Sequence, residues 1–101
     1  MVSSFTVRDF DAQSARLSLV APSFDHDSFP IIGQRFIDLI SATIVEKQQD
    51  ADLHSWLIDF EGCKFMLRAE HYSESMWLEA LSVDHSVEEL QFLAQLVAKG
   101  I

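Results

Sequence analysis

His54–Leu81, HSWLIDFEGCKFMLRAEHYSESMWLEAL, reads as three consecutive antiparallel strands, and its register decides the fold. Glu61-Gly62 separates two apolar runs, with Gly where a tight hairpin needs positive φ. A two-residue loop there sets Phe60 opposite Cys63, Ile58 opposite Phe65, Trp56 opposite Leu67 and His54 opposite Ala69. The other face then pairs Asp59 with Lys64, Leu57 with Met66 and Ser55 with Arg68, placing opposite charges side by side. Glu is a poor first residue for a type I′ turn, so a three-residue loop with a bulge is the rival. The polar stretch His71-Tyr72-Ser73-Glu74 makes the next loop. It pairs Ala69 with Met76, Leu67 with Leu78 and Phe65 with Ala80, and on the opposite face Arg68 with Trp77 and Met66 with Glu79. Both hairpins assign the same face of the middle strand to the core.

Outward from this meander, Phe5–Phe10 alternates, with Phe5 and Val7 on one side. Arg16–Val20 alternates again, with Leu17 and Leu19 inward, so the two make a hairpin around Asp11–Ser14. Pro22 ends it. Asp27 or Ser28 can cap a following helix and Pro30 suits its first turn. Ile32, Phe36, Leu39, Ile40, Thr43 and Ile44 recur at helical steps, which predicts a helix to about Lys47. Ile31, Ile37 and Val45 widen its apolar arc, so burial is expected. Gly33 costs about 1 kcal/mol in a helix interior, which close approach to the sheet would explain. Gln48–Asp52 is read as a polar connection. After Leu81, Ser86 with Glu89 reads as a capping box. Leu90, Leu93, Ala94 and Val97 make the inner stripe of a second helix, with Phe92 and Leu96 at its flanks and Gly100 as its stop. The expected order is ββαβββα: an α+β domain, residues 1–101, with an antiparallel sheet and two helices packed on one face. The sequence leaves the place of the N-terminal hairpin in that sheet open.

The segment FEGCKFMLRAEHYSESMWLEAL (Phe60–Leu81), followed by EELQFLAQLV (Glu88–Val97), resembles a small gammaproteobacterial domain-of-unknown-function family of similar length. The resemblance covers most of the chain. It implies no activity and assigns no functional residue.

A chain of 101 residues supports one modest core. Its 49% apolar content excludes intrinsic disorder. A net charge of -9 argues against nucleic acid and against anionic membrane. It fits a protein that could meet a basic partner. The single Cys, with no basic-then-apolar leader at the N-terminus, points to a reducing, cytoplasmic setting, and the family resemblance implies a bacterial one. No predicted helix is apolar enough to span a bilayer, since Gln34, Arg35 and Asp38 interrupt the most apolar one.

No motif here carries chemistry. His54 and His71 fall near one end of the meander with Asp52 and Glu70 close by, and are the candidates for a divalent metal. They lack an HxH or HExxH spacing and read better as loop and strand-end residues of an acidic chain. Cys63 opens a strand on the core face and reads as a small hydrophobe rather than a nucleophile. Asp25/Asp27 and Glu88/Glu89 lie in a loop and a helix first turn rather than in a pocket that would split their pKa values. The scattered glycines form no phosphate loop. No cofactor is expected.

The outer sheet face is different. Leu57, Met66, Trp77 and Leu81 fall there among Asp59, Lys64, Arg68 and Glu79, a composition typical of interface centres. The sequence therefore predicts a small, acidic, non-catalytic protein-interaction module. Its economical arrangement is a two-fold homodimer through Leu57, Met66, Arg68 and Trp77. The alternative is that the N-terminal hairpin folds over this face within one chain. Two further readings compete: an acidic inhibitor, immunity-type or chaperone-like protein that occupies a basic partner, and a small enzyme or ligand-binding domain with its pocket between sheet and helices.

Overall fold

The computed structural model describes residues 5–81 and 83–99. Its elements are β1 (Thr6–Asp11), β2 (Arg16–Val20), α1 (Phe29–Leu39), β3 (Thr43–Asp50), β4 (Leu53–Phe60), β5 (Cys63–Glu70), β6 (Ser75–Ala80) and α2 (Val83–Ala98). The six strands form one sheet in the order β1-β2-β6-β5-β4-β3, with every neighbouring pair antiparallel. The fold is α+β, as the sequence predicts, with a fourth strand between the helices that it did not predict.

The meander has the expected register throughout. Phe60 faces Cys63, Trp56 faces Leu67 and Leu57 faces Met66 across β4 and β5. Leu67 faces Leu78 and Arg68 faces Trp77 across β5 and β6. The loop is the two-residue form, with Glu61 at φ 51° and Gly62 at φ 86°. Asp59 Oδ1 accepts the Gly62 N–H at 2.9 Å, which helps hold Glu61 in a conformation that Glu rarely adopts.

The helix expected to reach Lys47 ends at Leu39. Ser41 takes φ 58°, donates to the Asp38 carbonyl at 3.2 Å, and Ala42 donates to the Ile37 carbonyl at 3.0 Å. This is a Schellman stop with Ser in the place that Gly usually fills. The chain beyond it, TIVEKQQD, opens with β-branched residues and runs as the edge strand β3, so Gln48–Asp50 belong to a strand rather than to a connection. The wide apolar arc is corrected too. Phe29, Ile32, Gly33, Phe36 and Ile37 are buried, whereas Ile31 and Leu39 of α1 and Val45 of β3 are exposed. Ser28 is the N-cap, but its hydroxyl accepts the Asp25 N–H at 2.8 Å and caps no helix N–H. The close approach expected at Gly33 is present: a Cβ there would lie 2.7 Å from Trp56 Cζ3 and 2.9 Å from Phe29 Cζ.

The N-terminal hairpin extends the sheet. β2 pairs with β6, setting Leu17 against Leu78 and Ser18 against Trp77. β1 carries a bulge between Val7 and Asp9, so Arg8 is the extra residue and Phe10, where strict alternation from Val7 would put Asp9, returns to the inner face opposite Leu17. Helix α2 begins at Val83, ahead of the Ser86 cap expected from sequence, and Gly100 lies outside the described residues. Its Leu90, Leu93, Ala94 and Val97 are buried as predicted. The core joins Leu17, Leu19, Trp56, Ile58, Phe60, Phe65, Leu67, Met76 and Leu78 of the sheet to these helical residues. Phe29 of α1 packs on Trp56 with ring centroids 5.0 Å apart, and Phe92 of α2 stacks on Phe60 at 6.2 Å.

Candidate functional site

The alternation that buries Trp56, Ile58, Phe65 and Leu67 leaves Leu57, Met66, Arg68 and Trp77 on the opposite face of the sheet, each half-buried among its neighbours. The register lines them up. One row across the strands runs Leu57, Met66, Glu79, Arg16, and the next runs Ser55, Arg68, Trp77, Ser18. Polar contacts tie the rows together. Arg68 Nη1 donates to Ser55 Oγ at 3.0 Å. Arg68 Nε lies 3.3 Å from Glu79 Oε1, near enough for charge attraction but off the line of a hydrogen bond. The Trp77 indole N–H donates to the same Glu79 oxygen at 2.5 Å. Lys64 and Asp59, the predicted pair, meet at 2.8 Å, and with the Gly62 N–H this holds the Asp59 carboxyl below its ordinary pKa.

Arg16 is the member that sequence reasoning missed. Its guanidinium sits over the Trp77 ring, 4.4 Å from the centroid. Nothing in the sequence says which strand the N-terminal hairpin joins, so the meeting of Arg16 with Trp77 could not be read. The structure places β1 and β2 beside β6, and the hairpin does not fold over the outer face. Leu81 follows β6 and is exposed.

The histidines gather at the other candidate site. His54 and His71 are joined by His26 from the loop before α1, which the sequence did not connect to them. The His26 ring lies 5.0 Å from His54 and 5.6 Å from His71, centroid to centroid. His54 is buried, packs against Phe29 at 4.9 Å, and its Nε2 donates to the His26 carbonyl at 3.2 Å. Burial holds the His54 pKa below its ordinary value, and the neighbouring His26 and His71 push the same way against the hydrogen bond to His26. His71 Nδ1 is buried without a hydrogen bond, 3.9 Å from the nearest Asp52 oxygen. Glu70 turns away to accept from Tyr72 and Ser73. Among the described residues no three His, Cys, Asp or Glu side chains converge as a metal-binding group.

The remaining candidates have structural partners. The Cys63 thiol donates to Glu89 at 3.3 Å, and burial together with that carboxylate pushes its pKa up, away from a reactive thiolate. Asp25 accepts the Asp27 and Ser28 N–H groups and shapes the loop before α1. The exposed Ile31 and Leu39 line an open groove of about 670 Å³ along α1 with Pro30, Gln34, Arg35 and Asp38. No helix among the described residues is long and apolar enough to cross a membrane.

The model of a protein family described as "Protein of unknown function (DUF3630)" matches residues 5–98. The chain belongs to that family. The expectation of a family of unknown function is met over residues 5–98 of this DUF3630 chain, and the match says nothing of the organisms that carry it. Searches of curated proteins and of solved structures returned no significant match. What this DUF3630 chain does must therefore be argued from its own surfaces.

Proposed function

We propose that this protein is a non-catalytic interaction module that self-associates face to face, through the outer sheet surface centred on Leu57, Met66, Arg68 and Trp77. The observation that carries the proposal is the in-plane position of the N-terminal hairpin, which sets β1 and β2 beside Trp77 and Met66 rather than across them. The two helices are inferred to cover the opposite face together, since Phe29 and Phe92 meet Trp56 and Phe60, which lie four residues apart on one strand.

Three arguments favour a second copy as the occupant. First, both edge strands are poor docking edges. β1 is bulged between Val7 and Asp9 and β3 between Ile44 and Glu46, and both carry charged residues, features that oppose edge-to-edge pairing. Second, the face suits an acidic protein meeting itself. Arg16, Lys64 and Arg68 lie here beside Asp59 and Glu79, three of the seven Lys and Arg in a chain with 16 Asp and Glu. Self-repulsion is weakest where the rare cations gather. Third, the area suffices. Six strands spaced about 4.8 Å apart, with some eight residues of about 3.4 Å each, give a face on the order of 700 Å². A standard stable interface takes roughly 800 Å² per partner.

Light scattering on the wild type and on Met66→Asp tests this. The wild type should weigh twice the 11.5 kDa protomer and the variant should return to 11.5 kDa with its circular dichroism intact. A wild type that stays at 11.5 kDa up to its solubility limit would overturn the proposal. The single Cys favours action in the reducing cytoplasm.

A further inference from the structure

At the β1–β2 end of the outer face, Arg8, Arg16, Ser18, Ser75 and Trp77 line a cavity of about 80 Å³. We propose that this cavity binds a phosphate group. The proposal does not rest on self-association: the cavity shares Arg16 and Trp77 with the docking face, whereas Arg8, Ser18 and Ser75 belong to the cavity alone.

The sequence places two arginines there in a chain dominated by acids, and the structure accounts for why neither is neutralised. Arg16 has Asp11 and Glu79 as its cross-strand neighbours. Asp11 Oδ1 is engaged by the Gln13 N–H at 3.0 Å and the Ser14 N–H at 3.3 Å in the β1–β2 turn. Glu79 Oε1 is engaged by the Trp77 indole and faces Arg68. Among the described residues Arg16 makes no ion pair, and its guanidinium sits over the Trp77 ring, 4.4 Å from the centroid, a contact that uses none of its N–H donors. Arg8 is the bulge residue of β1. A bulge re-aims the side chain it carries, and this one brings Arg8 to the same cavity. Arg8 makes no ion pair among the described residues either, and Asp9, which faces Ser18 in register, pairs with neither arginine.

The donors define the ligand. Ser73 Oγ donates to Glu70 at 2.6 Å, so the 2.8 Å contact between Ser73 and Ser75 must use the Ser75 proton. That leaves two guanidinium groups and the Ser18 hydroxyl. A carboxylate is planar and is satisfied by one guanidinium fork. A phosphate offers oxygens in several directions and up to two negative charges, which suits two cations on adjacent strands plus a hydroxyl. The volume admits such a head group and excludes a drug-sized ligand, whose pockets run to about 300 Å³ or more.

Isothermal titration calorimetry with inorganic phosphate, at constant ionic strength, tests the assignment. Saturable binding is expected, and Arg8→Gln and Arg16→Gln should each weaken it by roughly tenfold or more. Arg8 is exposed, so its variant keeps the fold if Arg16→Gln does not. Met66→Asp should disrupt self-association and bind phosphate as before, which separates failure of one proposal from failure of the other. Glycerol phosphate binding more tightly than inorganic phosphate would assign the site to a monoester, and the reverse order to the free ion. No saturable heat, equal binding of acetate, or wild-type affinity in Arg8→Gln would overturn the assignment.

Discussion

Gly33→Ala separates two physical effects that predict opposite signs. By helix propensity alone, Ala at an interior position of α1 should stabilise by about 1 kcal/mol. The packing says otherwise. The added methyl would lie 2.7 Å from Trp56 Cζ3, 2.8 Å from Trp56 Cη2 and 2.9 Å from Phe29 Cζ. Trp56 is 2% exposed and Phe29 is 0% exposed, and both are rigid rings that cannot swing aside. Overpacking of this kind costs roughly 1–3 kcal/mol, and simultaneous contact with two buried rings puts the site at the upper end. Subtracting the propensity gain leaves a net loss of about 2 kcal/mol. For a domain of this size that lowers the Tm by about 8–16 °C. Urea unfolding followed by Trp fluorescence would show a lower midpoint at unchanged slope. A variant as stable as the wild type, or more so, would refute the seating of α1 directly on Trp56.

Gly62→Ala tests the neighbouring hairpin by another route. No atom lies within 4 Å of the added Cβ, so the loss of about 1 kcal/mol comes from φ +86° alone, and a denaturation midpoint equal to the wild type would contradict the two-residue turn. His54 makes stability depend on pH. Its pKa falls from the ordinary 6.5 to a lower value on folding, so the unfolded chain binds the proton more readily. Stability is complete above pH 6.5 and declines as pH falls through the lower, folded-state value, with His26, His71 and Asp52 as the ionisable neighbours. His54→Gln should flatten that decline in denaturation midpoints taken across this range. An equally steep decline in the variant would place its origin elsewhere.

The meander was legible because each of its signals agreed with the others. Alternation, the Glu61-Gly62 turn and the Asp59–Lys64 pair all demand one register, and a slip by one residue would bury the charges. The stretch after α1 was misread for a physical reason. Ile40, Thr43 and Ile44 continue the helical spacing past the stop, and that stop is made by Ser41 rather than by a glycine. The β3 strand then gives no alternating pattern, because as an edge strand it leaves almost all its residues exposed. Leu57, Met66, Arg68 and Trp77 were placed correctly relative to one another, since local pairing suffices for that. Arg8, Arg16 and His26 were not, because each reaches its partners through a contact distant in sequence that no periodicity encodes.

The outer-face docking is tested most directly by mapping it. A dilution series of heteronuclear NMR spectra reports which groups change environment as copies separate. Concentration-dependent shifts should centre on the Trp77 indole N–H, the Met66 methyl, Leu57 and Arg68, and leave Ile31 and Leu39 of α1 unmoved. Shifts that do not change with concentration, or that change at α1 or along β3 while Trp77 stays still, would contradict the account.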